Sequence, residues 1–352
     1  MRTEALSKLM AGGVIPAMPL ALTEDRNFDV LLQRRIIRYY LAAGVDGIAV
    51  AVHTTQFEIR FPEHNLFETV LKVACDEIGK YEAKTGKTII RIAGACGTTE
   101  QAEGEAKLAK SIGYDAVLLS PGGLSEKSEA YMVDRTQTVA SILPVIGFYL
   151  QPAVGGRVFS YNYWRKLCDI DNVVAIKCAA FNRYYTLDVM RAVALSQKPI
   201  ALYTGNDDNI VGDLLTVYRF SEGGKTYTAE FVGGLLGHWA VWTHSATRIF
   251  ERLMRAKKQG KPLGEELTLA QQVTDANAAF FDVANSFAGC IAGIHEVLRR
   301  QGLMNGIWCL NPRETLSPGQ ALEIDRVYEM YPDLNDDAFV ADFLAKDTSA
   351  QE

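Results

Sequence analysis

The sequence predicts an α/β fold, a (β/α)8 TIM barrel with a C-terminal helical extension. Eight short apolar runs, rich in Val, Ile and Leu, begin 27 to 41 residues apart along the chain. Runs without polar alternation are typical of strands that are buried on both faces, as in a parallel sheet. An open doubly wound sheet is the rival, but no GxGxxG phosphate fingerprint follows the first run. The runs begin at Gly13, Gly47, Thr88, Ala116, Pro144, Val173, Ile200 and Phe231.

The stretches between the runs have the start and stop signals of helices. Residues 29–43 carry apolar side chains at helical spacing, and Gly44 follows them as a residue that commonly ends helices. Thr98 and Gln101 form a capping-box pattern at the start of a second helix, which Gly113 ends. Strand and helix units therefore alternate, as a barrel requires.

The texture of the sequence changes near its last quarter, where helical patterns follow one another without strand runs. We therefore place the barrel in residues 1–262 and a helical region, packed on that barrel, in residues 263–352. The predicted C-terminal helices cover residues 267–287, 291–301, 318–330 and 336–345.

Composition excludes several classes of protein. The 352 residues are 48% hydrophobic and 22% charged, which is ordinary for a globular protein and unlike a disordered one. The net charge of −6 offers no basic face for nucleic acid. Six scattered cysteines without a CxxC pair predict a reduced, cytoplasmic protein. No uncharged apolar stretch reaches 18 residues, so no membrane span is expected.

Lys177 is the strongest candidate for chemistry, because it lies inside the sixth apolar run. Strand alternation puts Val173, Ala175 and Lys177 on one face, and catalytic groups of barrels lie at the carboxyl ends of strands. If that face points inward, burial lowers the pKa of the amine, and a neutral lysine can form a Schiff base with a carbonyl. The alternative is a strand-end lysine whose stem packs while its head reaches solvent.

Polar residues at the ends of neighbouring runs are further candidates. Tyr149 closes the preceding run and could relay protons beside Lys177, although a core aromatic is the commoner role. Thr54 and Thr55 follow the second run and could hold a carboxylate, or simply form a polar exit from the strand.

Polar residues at the ends of three apolar runs are also candidates for substrate contact. Gly205, Asn206 and Asp207 could contact a polar substrate, or form a turn that leads to the next helix. His53 and His238 lie at the ends of two runs. Each could contact a polar group of the substrate or pack at the rim of the barrel. They also raise the possibility of a metal-dependent aldolase, but no carboxylate accompanies them in sequence, and we expect no metal site.

Four segments, taken in order, resemble the dihydrodipicolinate synthase and N-acetylneuraminate lyase family of Schiff-base barrel enzymes. Residues 174–177 resemble the family's strand with the imine lysine, and residues 148–152 resemble its Tyr-Asn-x-Pro segment. Residues 53–56 resemble its Gly-Thr-Thr-Gly-Glu loop, and residues 205–207 its Gly-x-Asp at the seventh strand. The resemblance implies that Lys177 carries the imine, that Tyr149 is the catalytic tyrosine and that the two threonines bind the carboxylate of a keto acid. It also implies a homo-oligomer, a tetramer or a dimer.

The sequence departs from this family at positions around the second substrate. His53 and Gln56 replace the glycines that flank the two threonines, and Gly122-Gly123 stands where synthases carry an aromatic pair. Val154 stands where synthases carry an arginine, and Arg157 follows three residues later. We therefore expect that the chain does not catalyse the reaction of the lysine-pathway synthase.

These observations predict a lysine-dependent lyase or aldolase that acts on a 2-keto acid, pyruvate, and on an unidentified aldehyde. Lys177 is the expected nucleophile, Tyr149 the proton relay, and Thr55 orients the phenol. No cofactor is expected, because the protonated imine is itself the electron sink. The alternatives are a dehydratase of keto-deoxy sugar acids that uses the same imine, and a non-catalytic relative that binds a keto acid.

Overall fold

Eight parallel strands form a barrel in the computed structural model, which describes residues 1–260 and 264–347. Each barrel strand begins within two residues of a predicted apolar run, so the predicted fold class is confirmed. The barrel strands are β1 (Val14–Pro16), β2 (Gly47–Val50), β3 (Ile90–Ala95), β4 (Ala116–Leu119), β5 (Val145–Leu150), β6 (Val173–Ala179), β7 (Ala201–Thr204) and β10 (Gly233–Leu236).

The strand order runs β1-β10-β7-β6-β5-β4-β3-β2, and every neighbouring pair is parallel. A single parallel bridge between Ala17 and Ala49 joins the first strand to the second and closes the ring. The amide of Met18 donates a hydrogen bond of 2.9 Å to the Ala49 carbonyl at the same seam. All carboxyl ends therefore meet at one mouth.

Helices pack around the barrel, and the two with start and stop signals described above begin and end as predicted. The Asp29 carboxylate accepts a hydrogen bond from the amide of Leu32 at 2.9 Å, and Gly44 ends the helix with φ of 89°. Thr98 accepts from the amide of Gln101, and Gly113 ends that helix with φ of 106°. The surrounding helices are α2 (Val30–Ala43), α3 (Phe67–Thr85), α4 (Thr99–Ile112), α5 (Glu129–Ala140), α6 (Tyr161–Asp169), α7 (Arg183–Ala194), α8 (Ile210–Leu215) and α9 (Thr243–Gln259).

Two elements were not predicted from the sequence. Helix α1 (Thr3–Ala11) buries Ala5 and Leu9 against the side chains inside the barrel, and the Leu9 carbonyl accepts a hydrogen bond from Tyr203 at 2.8 Å. An antiparallel hairpin of β8 (Val217–Glu222) and β9 (Lys225–Glu230) precedes the last barrel strand.

The C-terminal region is helical, as predicted. Its first helix packs on α8, its last helix contacts α2, and its helices also pack on one another. The predicted boundary at residues 262 and 263 lies outside the described residues. The helices are α10 (Gly264–Phe280), α11 (Cys290–Arg300), α12 (Gln320–Met330) and α13 (Asp337–Lys346).

Buried apolar side chains form two separate clusters. The inner cluster fills the barrel and includes Ile15, Ile92, Ile146 and Ala175. The outer cluster lies between the strands and the helices and extends into the C-terminal helices. No helix in the described ranges is long and apolar enough to cross a membrane.

Candidate active site

A one-residue irregularity in β6 sets the geometry of the candidate site. Val145 of β5 pairs with Val173, but the next residue, Ile146, pairs with Ala175, so Val174 is an extra residue on β6. Such a bulge shifts the register and moves side chains from one face to the other. As a result Val173 lies in the outer cluster and Val174 packs against the inner one, which corrects the predicted face of Val173.

The shifted register decides which residue of β5 lies beside Lys177. Phe148 pairs with Lys177, and Tyr149 pairs with Cys178. Residues directly opposite each other in a sheet point to the same face, so Lys177 and Phe148 point into the barrel mouth. Tyr149 and Cys178 point outward and belong to the outer cluster.

Lys177 lines a cavity at the carboxyl ends of the strands. The cavity encloses about 570 Å³, including the part that is open to solvent. Most of its wall is apolar, as is typical of ligand pockets. Its larger apolar residues are Phe148, Leu150, Val154, Phe181, Phe281 and Phe287. Its polar side chains are those of His53, Thr54, Gln151, Lys177 and Asp207.

Lys177 and Asp207 are the charged side chains among the described residues that line this cavity. Both are 8% exposed. Burial lowers the pKa of the Lys177 amine below the ordinary value of 10.5, and the Asp207 carboxylate opposes this shift. Burial raises the pKa of the Asp207 carboxyl above 3.8, opposed by the His238 amide and by Lys177. The amine also lies 4.5 Å from the ring centroid of Phe148.

Tyr149 does not lie beside Lys177, contrary to the prediction. Its ring stacks on Trp164 with centroids 5.1 Å apart and lies 6.1 Å from the ring of Tyr185. The phenol oxygen accepts a long hydrogen bond of 3.5 Å from the Phe159 amide, and burial raises the pKa of the phenol. The physical cause is the bulge: an unbroken register from Val145 and Val173 would have paired Tyr149 with Lys177.

The two threonines lie near the cavity, and their hydroxyl protons are already engaged. Thr54 donates to the Ala17 carbonyl at 2.8 Å, and Thr55 donates to the Met18 carbonyl at 2.6 Å. Thr54 lines the cavity, whereas Thr55 is fully buried behind it. Thr55 therefore orients the loop after β1. The expected contact between Thr55 and the phenol of Tyr149 is not present, because the phenol faces outward. A carboxylate can only accept hydrogen bonds, and the Thr55 amide already donates to the Val52 carbonyl at 3.0 Å, so the amides of His53 and Thr54 are its natural partners.

Of the first two residues after β7, Gly205 shapes the cavity and Asn206 does not line it. Gly205 lines the cavity, and a Cβ atom there would lie 2.7 Å from Cε of Lys177. Asn206 was predicted to bind substrate, but its side chain is fully buried away from the cavity. It accepts from the amide of Phe181 at 2.9 Å and donates to Asp213 at 2.8 Å, because it ties β7 to its neighbours.

The two histidines occupy different environments. His53 lines the cavity, and burial together with the nearby Lys177 charge lowers its pKa to about 4, so the ring stays neutral. His238 was also predicted to contact substrate, but its ring points to the C-terminal region. Its Nδ1 lies 2.5 Å from Oδ1 of Asn277, and the ring stacks near Phe280. Only the main chain of His238 serves the site, through its amide.

The C-terminal region supplies part of the cavity, which the sequence analysis missed. Asn277 of α10 donates to the Asp207 carbonyl at 2.8 Å and so holds the end of β7 in place. Phe281, Phe287 and Cys290 line the cavity itself. Nothing local in this part of the sequence distinguishes these residues from the packing residues of any helical region.

Gln56 explains how the loop tolerates the loss of a family glycine. Its φ is 68°, the left-handed conformation that glycine adopts without strain. The side-chain oxygen accepts a hydrogen bond of 2.6 Å from the Leu310 amide, which binds the loop to the C-terminal region. The side chain at this departure from the family pattern thus ties the loop to the C-terminal region.

The cavity offers no guanidinium to a second substrate. Val154 lines it, as expected from the sequence. The Arg157 guanidinium instead donates to the carbonyls of Leu124 and Lys127 and lies over the ring of Phe159. Within residues 1–260 and 264–347, no group of three or more His, Cys, Asp and Glu side chains could hold a metal ion.

The fold and the site define a class: a (β/α)8-barrel protein with a buried strand lysine at the carboxyl mouth. A family model described as the dihydrodipicolinate synthetase family matches residues 10–329. The chain belongs to that family, as the resemblance implied.

Curated relatives include both branches of the resemblance. A 4-hydroxy-tetrahydrodipicolinate synthase from Clostridium novyi is 31% identical over 187 residues, which are 53% of this chain and 58% of that protein. An N-acetylneuraminate lyase from Citrobacter koseri is 25% identical over 63% of this chain and 70% of that protein. The chain therefore matches little more than half the length of the first of these relatives.

Solved structures share the fold over nearly the whole chain. An N-acetylneuraminate lyase from Fusobacterium nucleatum, solved with pyruvate, matches with a TM-score of 0.69 and 18% identity. The match covers 92% of this chain and 98% of the lyase chain. YagE from E. coli K12, also solved with pyruvate, matches with a TM-score of 0.72 and 18% identity over 91% and 98% of the two chains.

Proposed function

We propose that the protein is a lysine-dependent lyase that forms a Schiff base between Lys177 and a 2-keto acid, with pyruvate as the acid. One observation carries the proposal. Lys177 is 8% exposed, and it lines a largely apolar cavity at the carboxyl ends of the barrel strands. Membership in a family whose relatives bear the names of synthases and lyases supports the same chemistry.

The surroundings of Lys177 suit imine formation. Burial favours the neutral amine, which attacks C2 of the keto acid, and water leaves as the imine forms. Gly205 leaves the space that the lysine side chain occupies. The protonated imine then withdraws electrons from C3, so that C3 can form or break a bond to an aldehyde carbon without a cofactor.

The carboxylate of the keto acid is assigned to the turn at residues 53–55. The first N–H groups of a helical turn have no partner within that turn, and they offer donors to an anion. Thr54 lies on the cavity wall, and its hydroxyl and that of Thr55 fix the turn against the loop after β1. Keto acids with the carbonyl next to the carboxylate therefore fit between this turn and Lys177.

The second substrate is an aldehyde that does not require a cation. A guanidinium grips a carboxylate through two parallel hydrogen bonds, and Arg157 is engaged elsewhere. Aspartate semialdehyde carries such a carboxylate, and it is therefore excluded from the proposal. Elimination of water from a keto-deoxy sugar acid through the same imine is the second candidate.

The test is turnover of pyruvate with a panel of aldehydes, alongside cleavage and dehydration assays on keto sugar acids. Lys177→Met is expected to abolish every activity found, since it removes the amine and keeps the volume. Lys84→Met, at an exposed position of α3, is the matched control and is expected to behave as wild type. Turnover that survives in Lys177→Met would refute the proposal, and efficient turnover of aspartate semialdehyde would refute the exclusion.

A further inference from the structure

We propose that Asp207 is the acid–base group of the reaction at Lys177, the group that moves a proton between C3 of the imine and the aldehyde oxygen. This inference rests on the proposed function. It assigns to a carboxylate at the end of β7 the task that the sequence assigned to Tyr149. Tyr149 cannot exchange a proton with the imine directly, because its phenol lies on the outer face of β5, in the outer cluster.

Asp207 shares the cavity with Lys177. Asp207 follows β7, the strand that pairs with β6. Gly205, which lies between the end of β7 and Asp207, packs against the lysine side chain. Among the described residues that line the cavity, Asp207 carries the sole carboxylate. The nearest wall of the cavity on the β5 side is the ring of Phe148, which has no proton to exchange.

The Asp207 carboxylate is held in a fixed orientation. Its Oδ1 accepts a hydrogen bond of 2.9 Å from the His238 amide, and its own carbonyl accepts one of 2.8 Å from Asn277. Within residues 1–260 and 264–347, no carboxylate oxygen comes within 4.0 Å of the Lys177 amine, so the two groups are not locked in an ion pair. Both side chains line the same cavity, so a bound substrate can contact both.

Other groups on the cavity wall are less suited to the task. Burial raises the pKa of the Cys290 thiol, and burial lowers the pKa of His53 to about 4, which makes its ring a weak base. The hydroxyl of Thr54 donates to a main-chain carbonyl. Burial shifts the pKa of Asp207 upward, toward the neutral range in which a group can both take and return a proton.

The proposed steps balance. The neutral Lys177 amine replaces the keto oxygen of pyruvate, which leaves as water, and a proton from solvent charges the imine nitrogen; hydrolysis at the end of the reaction returns that proton to solvent. The Asp207 carboxylate then removes one proton from C3. The electrons of that C–H bond form the enamine and neutralise the imine nitrogen. The enamine carbon then bonds to the aldehyde carbon, and the protonated Asp207 gives its proton to the aldehyde oxygen. Water hydrolyses the new imine, and Lys177 and Asp207 return to their starting states.

The inference is tested by separating imine formation from proton transfer. Borohydride trapping of pyruvate measures the first, and loss of the methyl proton signal of pyruvate in deuterium oxide, followed by NMR, measures the second. Asp207→Asn is expected to retain trapping at Lys177 and to slow deuterium uptake about 10²- to 10⁴-fold, the usual contribution of a positioned acid–base group. The amide oxygen of asparagine can still accept from the His238 amide, so the fold is expected to persist.

Two controls make the outcome specific. Asp208→Asn changes the adjacent carboxylate, which lies 3.8 Å from Arg183 and outside the cavity wall, and is expected to exchange at the wild-type rate. In Asp207→Ala, added formate is expected to restore part of the exchange, which a purely structural role would not allow. Wild-type exchange in Asp207→Asn, or loss of exchange in His53→Asn instead, would overturn the inference and leave the imine intact. Absence of trapping in the wild type would instead refute the proposed function.

Discussion

Gly205→Ala is a perturbation whose effect can be worked out from the structure. The added methyl group would lie 2.7 Å from Cε of Lys177 and 2.9 Å from Cβ of Ala179. Carbon atoms pack best at about 3.5–4.0 Å, so one of these neighbours has to move by about 1 Å. Ala179 belongs to a barrel strand, whereas the lysine side chain is flexible, so Lys177 is expected to give way.

The size of the effect follows from that displacement. A misplacement of about 1 Å in a reacting group can cost about 10²-fold in rate, which is about 2.7 kcal/mol of activation free energy. Overpacking of a buried site costs about 1–3 kcal/mol of folding free energy. Gly205→Ala is therefore expected to slow imine formation about 10²-fold and to lower the unfolding midpoint moderately.

The assay is the rate of pyruvate-dependent borohydride trapping, measured beside thermal unfolding. Gly104→Ala is the matched control, because it makes the same chemical change in α4 where nothing lies within 4 Å. It is expected to trap at the wild-type rate and to gain about 0.5–1 kcal/mol of stability. Wild-type trapping by folded Gly205→Ala would refute the reasoning that Gly205 makes room for the amine.

Three further predictions follow from the same geometry. Tyr149→Phe is expected to keep near wild-type turnover, because the phenol faces Trp164 and not the cavity, and a loss of 10²-fold or more in kcat would contradict this placement. The rate of trapping is expected to rise with pH through a midpoint below 10.5, because burial lowers the pKa of Lys177 and only the neutral amine attacks; a midpoint at or above 10.5 would argue against a buried nucleophile. Light scattering at micromolar concentration is expected to show a dimer or tetramer, as the family resemblance implies, and a monomer alone would contradict that expectation.

The barrel could be predicted because parallel strands leave a local record in the sequence. Continuous apolar runs at a nearly regular interval correspond to strands buried on both faces. The hairpin of β8 and β9 also has a local record in the sequence. Gly223 and Gly224 have φ of 57° and 76°, the two-residue loop typical of tight hairpins, between stretches of alternating polarity. Helix α1 carried no comparable signal, since its burial depends on the open end of the barrel.

The candidate site could be predicted only in part. Lys177, Asp207, Thr54 and His53 line one cavity, as expected of residues at strand ends. The separation of Tyr149 from Lys177 depends on a single extra residue in β6, which reverses the face of the β6 side chains that follow it, Lys177 included. Alternation within each run cannot reveal such a shift, because it concerns the pairing of two strands.

The remaining errors concern contacts between parts of the chain that are far apart in sequence. Asn206 looked like a substrate ligand, but a carboxylate of α8 and a main-chain amide after β6 claim its side chain. The ring of His238 is claimed by Asn277 of α10. Cavity residues from the C-terminal helices could not be identified either, because only the tertiary fold brings Phe281, Phe287 and Cys290 to the mouth.

The most direct test of the central claim is the site of the covalent adduct. The protein is incubated with pyruvate, reduced with borohydride, digested and mapped by mass spectrometry. The account predicts one pyruvate-derived adduct, on the peptide that contains Lys177, and no adduct in folded Lys177→Met. An adduct on another lysine, or none with any 2-keto acid, would contradict it.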